Sequence, residues 1–158
     1  IYDLPLAVER VRAAREAADA AGVPIVLNAR TDVFLLGIGE KTDRFDHAVR
    51  RLNAYREAGA DCLYAMGLFD ADTIGRLAKA VNGPLNIMGL QGAPAVTELE
   101  RLGVARVSVA SGPVRAAMTI TRKVAEELMN RGTYDLCAGD TIGHPEANAL
   151  MAARGARP

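Results

Sequence analysis

The 158-residue chain contains no tryptophan, and aromatic residues make up only 4% of it. A platform for stacking nucleobases is therefore disfavoured. Basic and acidic residues balance, 19 against 19, so no net field favours nucleic acid or an anionic membrane as a partner. Lysine is scarce: Lys41, Lys79 and Lys123 are the only ones, and the remaining cations are arginines, the better fork for carboxylates and phosphates. Two cysteines, Cys62 and Cys137, stand far apart without metal-ligand spacing and read as reduced thiols of a cytoplasmic protein. No apolar run reaches the ~18 residues of a membrane span, and no secretory leader is expected. The chain begins at Ile1 rather than Met and reads as a processed or truncated piece.

Half of the residues are apolar, mostly small aliphatics, so helices must approach closely and disorder is excluded. The length supports one domain that buries about 70% of its unfolded surface. It falls short of a complete (β/α)8 barrel, which needs roughly 200 residues or more.

Helix and strand signals alternate along the chain. Asp3 and Pro5 open a helix with an apolar stripe of Leu4, Val8, Val11, Ala14 and Ala18, and Gly22 stops it. Pro24-Ile25-Val26-Leu27-Asn28 reads as a buried strand, followed by a long loop from Arg30 to Thr42. A second helix, from Thr42 or Asp43 to Gly59, turns Phe45, Val49, Leu52 and Tyr55 or Arg56 inward. Cys62-Leu63-Tyr64-Ala65-Met66 is the second strand, Pro84-Leu85-Asn86-Ile87-Met88 the third and Ala105-Arg106-Val107-Ser108-Val109-Ala110 the fourth. Short helices carrying Ile74, Leu77 and Val81, then Val96, Leu99 and Leu102, separate them. Ser111-Gly112-Pro113 opens a long helix to about Arg131, and a last helix is expected from Pro145 to Ala153. Strands that each lead into a helix imply a parallel sheet with right-handed crossovers. Residues 1–132 form the α/β part and residues 133–158 a helical tail.

In such folds ligands bind beyond the carboxyl ends of the strands. The first end reads Asn28-Ala29-Arg30-Thr31-Asp32. Its guanidinium can grip a carboxylate or phosphate, or the Arg30–Asp32 pair can merely fix the loop, and the residues alone favour neither. The second end, Ala65-Met66-Gly67-Leu68, has nothing that titrates and reads as core. Asn86 in the third strand is a candidate ligand contact, because a buried amide needs partners. Ser111 before the long helix serves either as a simple cap or, through the free N–H groups behind it, as an anion holder. His47, inside a helix and read as exposed, and His144 in the tail are weak candidates, and no triad or carboxylate cluster with metal character is apparent.

These residues, in this order, resemble the isocitrate lyase/phosphoenolpyruvate mutase superfamily. Asn28-Ala29-Arg30-Thr31-Asp32 resembles its Ala-Arg-Thr-Asp signature. Tyr55-Arg56-Glu57-Ala58-Gly59-Ala60-Asp61 resembles the approach to its sixth strand, Gly83-Pro84-Leu85-Asn86 its seventh and Leu102-Gly103-Val104-Ala105-Arg106-Val107-Ser108 its eighth. Gly132-Thr133-Tyr134 and Glu146-Ala147-Asn148 resemble tails of the phosphonomutase-like (carboxyvinyl-carboxyphosphonate phosphorylmutase-like) branch.

The resemblance implies the second half of a (β/α)8 TIM barrel, strands five to eight, with a C-terminal helical tail. It implies an enzyme that makes or breaks C–C or P–C bonds next to a carboxylate through an enolate-type intermediate. Mg²⁺ is the implied cofactor, with its aspartate ligands and a gating loop in the absent first half, so the chain alone is expected to be inactive. Arg30 matches the arginine that stabilises developing negative charge, with Asp32 as its structural partner, and Asn86 and Ser111 are the further substrate-binding candidates. The implied substrate is a small carboxylate or phosphonate, and the implied partner is a second copy of the chain, docked through the helix from Pro113 to Arg131. Met66 and Gly67 replace the branch-specific Glu, or His and Ser, of the lyases and mutases. Met88-Gly89-Leu90 replaces the lyases' Asn-x-Thr, so the substrate stays open. The alternative from the residues is a self-contained α/β module that binds an acidic or phosphorylated ligand through Arg30 and the Ser111 helix start.

Overall fold

The structure, a computed structural model, describes residues 1–152. It divides into two compact units, Ile1–Ala110 and the segment from Ser111 onward. In the first unit α1 (Leu4–Ala20) precedes β1 (Asn28–Thr31), α2 (Arg44–Glu57), β2 (Cys62–Ala65), α3 (Ala71–Ala80), β3 (Leu85–Met88), α4 (Val96–Arg101) and β4 (Val104–Ser108). The four strands are parallel and lie in the order β1-β2-β3-β4.

That order decides the architecture. A doubly wound sheet reverses its strand order, which sends helices to both faces. Here every crossover steps the same way, so the helices of the first unit gather on one face. The core shows it: Ala7 of α1, Leu52 and Tyr55 of α2, Ile74 and Leu77 of α3 and Leu99 of α4 pack together with Ala29, Leu63, Ala65, Leu85 and Ile87 of the strands. Burial of these side chains, worth roughly 1.5–3 kcal/mol for each large one, holds the unit together.

Local signals place the helices well. Asp3 caps α1, accepting from Leu6 N at 3.2 Å, and Asp70 caps α3, accepting from Thr73 N at 2.8 Å. The first strand differs from the sequence reading. It begins at Asn28, and Arg30 and Thr31 are strand rather than loop. The partner strand sets this limit: Asn28 pairs with Cys62, where β2 starts, so the residues before it find no ladder. Val26 is consequently 73% exposed instead of buried. Of the apolar residues read on the next helix, Val96 is exposed, and within the short α4 only Leu99 is buried.

One glycine is required by the close approach of two strand-end loops. Gly67 has φ +83°, and a Cβ there would lie 2.6 Å from Leu35 Cα. Leu35 N donates to Met66 O at 3.1 Å, which brings the backbones together. The segment after β1 is thereby tied to the segment after β2.

The second unit contains α5 (Gly112–Arg131), a 3₁₀ turn at Asp135–Cys137 and α6 (His144–Ala152). The expected last helix is present from His144, and Ala153 lies outside the described residues. Gly132 ends α5 in the left-handed conformation, φ +66°. The Glu127 carboxylate then gathers the turn, accepting from Thr133 Oγ1 at 2.6 Å, Asp135 N at 2.9 Å and Leu136 N at 3.0 Å. The Thr133 hydroxyl first, then the backbone N–H groups and Arg131, hold the Glu127 pKa below its ordinary 4.5. Because the folded value is the lower one, this carboxylate stabilises the turn fully above pH ~4.5 and ceases to as pH falls through the depressed value. We expect amide exchange at Asp135 and Leu136 to accelerate below that pH, and Glu127→Gln to show fast exchange at neutral pH already. Protection that is unchanged in Glu127→Gln would refute this role.

Candidate functional site

Parallel register aligns side chains across the sheet. Arg30 pairs with Tyr64, Tyr64 with Asn86 and Asn86 with Arg106. Alternation sends Ala29, Leu63 and Leu85 toward the helices, so Arg30, Tyr64, Asn86 and Arg106 form a row on the opposite face. A one-residue irregularity between Leu85 and Asn86 keeps Arg106, rather than Ala105, beside Asn86.

Arg30 stands near the carboxyl end of β1, with its side chain 43% exposed. Its Nε donates to Asp32 Oδ1 at 2.5 Å and its Nη2 to Asp32 Oδ2 at 3.2 Å, a forked pair. The bond to Asp32 pushes the Arg30 pKa still higher, against burial, so the group is a permanent cation. Its guanidinium carbon lies 6.0 Å from the Tyr64 ring centroid. Burial pushes the Tyr64 phenol up, so it is neutral and available as a hydrogen-bond donor near pH 7.

Asn86 is fully buried. Its Nδ2 donates to Ser108 Oγ at 2.9 Å, and the Ser108 hydroxyl lies 3.2 Å from Asn86 Oδ1. The amide therefore already has a partner, which a ligand would share. Burial also raises the Cys62 thiol, while Arg106 works the other way, so the thiol stays protonated. Both cysteines are free.

The predicted site residues are partly brought together. Arg30 and Asn86 share one face of one sheet. Ser111 opens the second unit and precedes α5, and its side chain makes no cap hydrogen bond, so the simple-cap reading fails there. His47 is half-buried rather than exposed, and burial first, then Arg51 and Arg50, lower its pKa. Tyr64 and Arg106 were missed by the sequence reading. The signal for Arg106 was present, since Arg106 and Ser108 alternate with Ala105 and Val107. Tyr64 lies in a strand buried along its whole length, where alternation leaves no trace.

Arg30 and Asp32 also line an open cavity of about 460 Å³ together with Ile1, Tyr2, Thr31 and Arg51. Among the described residues no group of three or more His, Cys, Asp or Glu could hold a metal ion. The Asp32 carboxylate is engaged by Arg30. These residues thus do not make a Mg²⁺ site of their own.

A parallel sheet with the helices of its unit on one face, and a paired arginine at a strand's carboxyl end, defines the class as an α/β protein. The sequence matches the family described as phosphoenolpyruvate phosphomutase over residues 1–129. The chain belongs to this family, within the PEP mutase/isocitrate lyase superfamily. Among solved structures it is similar to a protein assigned as a lyase/mutase from Burkholderia cenocepacia J2315, with 38% identity over 96% of this chain and 54% of that one and a TM-score of 0.79. It is similar to one assigned as a phosphonomutase from the same organism, with 36% identity over 80% of this chain and 52% of that one and a TM-score of 0.74. It is also similar to 2,3-dimethylmalate lyase, with 27% identity over 98% of this chain and 56% of that one and a TM-score of 0.70. No match is found among proteins of curated function. The chain spans about half the length of the structures it matches.

The buried Asn86 gives a direct check on the row. Ser108→Ala removes its side-chain partner and should cost about 1–3 kcal/mol, read as a lower denaturant midpoint at unchanged slope. An unchanged midpoint would mean that the amide is satisfied elsewhere.

Proposed function

We propose that the chain is the C-terminal half, strands five to eight, of a (β/α)8 barrel enzyme that makes or breaks C–C or P–C bonds next to a carboxylate. Residues 1–132 would belong to that half barrel and residues 133–158 to its helical tail. The single observation that carries the reading is the Arg30–Asp32 fork at the carboxyl end of β1, in a chain of this family. Asp32 occupies the Nε–Nη2 edge of the guanidinium and holds it in one orientation. The Nη1 end stays available to a substrate carboxylate or phosphonate, where negative charge grows as the bond breaks. A fixed cation aimed at that charge lowers the barrier electrostatically. Asn86 and the start of α5 at Ser111 are the further substrate-binding groups of this proposal. Mg²⁺, when bound, would supply further charge stabilisation. Its ligands would have to come from outside the described residues.

The natural-length protein tests the reading. Arg30→Ala should lower kcat/KM by about a hundredfold or more on a small 2-oxo or 2-hydroxy acid, with the circular dichroism unchanged. Arg30→Lys should recover little, because an ammonium cannot serve Asp32 and substrate as two forks. Activity that survives Arg30→Ala would sink the assignment.

We also infer a homo-oligomer that uses the helix from Pro113 to Arg131. Of the residues of α5 only Glu127 is buried, while Val114, Met118, Ile120, Leu128 and Met129 are exposed. Such apolar surface marks an interaction site. No described helix is long and apolar enough to cross a membrane, and two free thiols fit the cytoplasm as the proposed location. Sedimentation velocity should show an assembly larger than one chain, and Met118→Asp should shift it toward the monomer. A monomeric wild-type protein would refute the interface.

A further inference from the structure

A second cavity, of about 310 Å³, lies between α2 and α3. Its apolar wall is Phe34, Phe45 and Leu68, and its charged wall is Lys41, Arg44 and Arg76. No carboxylate lines it among the described residues. Every group in it comes from the segments after β1 and β2 or from the two helices themselves. The strand between those helices, β2, is hydrogen-bonded to β1 on one side and to β3 on the other, so the cavity adjoins neither free edge of the sheet.

Two of the three cations are held in place. Arg44 Nε donates to Gly39 O at 3.2 Å. Its guanidinium lies against Gly37, where a Cβ would stand 3.2 Å from Nη2. Gly37 and Gly39 have φ of +61° and +76°, which lets the loop wrap this head group. The guanidinium carbon of Arg76 lies 4.6 Å from the Phe45 ring centroid, a cation–π stack. Lys41 is exposed at the mouth.

The nearby carboxylates are engaged elsewhere or lie in water. Asp70 caps α3, accepting from Thr73 N at 2.8 Å, and Asp43 accepts from Thr42 Oγ1 at 2.9 Å. Asp72 comes only within 3.9 Å of Arg76 Nη1, with both side chains largely exposed, a pairing of little strength. Glu40 and Asp46 are exposed and form no ion pair with Lys41 or Arg44. Three like charges on one wall repel one another, and a doubly charged anion balances them better than a single carboxylate does. Guanidinium forks match phosphate oxygens, and an ammonium adds a point charge.

We propose that this cavity binds the phosphate group of a small phosphorylated compound, separately from the Arg30 fork. Arg44 and Arg76 are the fixed forks, Lys41 closes on the exposed side, and Phe34 and Leu68 meet the carbon part of the ligand. A cavity of this size takes a small metabolite. The inference does not depend on any reaction at Arg30.

Phenyl phosphate is the probe, titrated by calorimetry into the natural-length protein carrying Arg30→Gln, so that binding at Arg30 does not contribute. It should bind saturably, and more tightly than inorganic phosphate, which cannot use Phe34 and Leu68. Arg44→Gln and Arg76→Gln should each weaken it about tenfold, the loss of one charge-assisted contact. Lys41→Gln, at an exposed position, should weaken it several-fold, and it decides the matter should the arginine variants fail to fold. Absence of saturable binding, or an affinity unchanged by Lys41→Gln and by whichever arginine variant folds, would overturn the site and leave the Arg30 reading standing. Weakened binding in these variants would support the site even if activity survived Arg30→Ala.

Discussion

The parallel register of four short strands is the constraint from which the rest of this protein follows. Because every crossover returns to the next strand on the same side, one face of the sheet receives all the helices of the first unit and the other receives none of them. The aliphatic side chains of the strands go to the first face. The polar row of Arg30, Tyr64, Asn86 and Arg106 goes to the second. A shift of one residue in any strand would exchange the two sets, driving an arginine into the core and a leucine out of it. The core and the site are thus specified by the same hydrogen-bond ladder.

Burial alone does not fix that ladder, and polar side chains pin its ends. At the amino end Asp61 accepts from Leu27 N at 2.7 Å and is also engaged by Arg15, whose Nε donates to Gly59 O at 3.1 Å. These bonds join α1, the approach to β1 and the approach to β2 before the first ladder pair, Asn28 with Cys62. At the carboxyl end the close contact of Leu35 with Gly67 joins the loops that follow the same two strands. The strand that carries Arg30 is therefore held at both ends, although it is an edge strand with a single neighbour.

The helices were legible because their ends carry local chemistry: Asp3 and Asp70 are side-chain caps, and Gly22 and Gly132 follow the last turns. The core was legible through helix periodicity, as with Ile74, Leu77 and Val81. The start of β1 was not, because Val23 to Leu27 is as apolar as a strand and its limit is set by a partner some thirty-four residues away, as the spacing from Leu27 to Asp61 shows. Arg30 was found because a charged residue beside an apolar run stands out. Tyr64 did not stand out, since a strand buried on both faces reads as uniformly apolar. Arg51 was invisible for a different reason: on a helix amid Arg50, His47 and Arg56, nothing in the sequence separates a buried arginine from solvated ones.

The two arginines of the cavity illustrate how pairing determines what a guanidinium can do. Arg30 has its counter-charge within two residues, so its orientation is fixed and its net field is partly neutralised. Arg51 is oriented equally firmly, but by a phenol and a carbonyl, which supply geometry and no charge. No carboxylate pairs with it among the described residues. Arg30 is thus locally neutralised as well as oriented, whereas Arg51 is oriented without a counter-charge among the described residues.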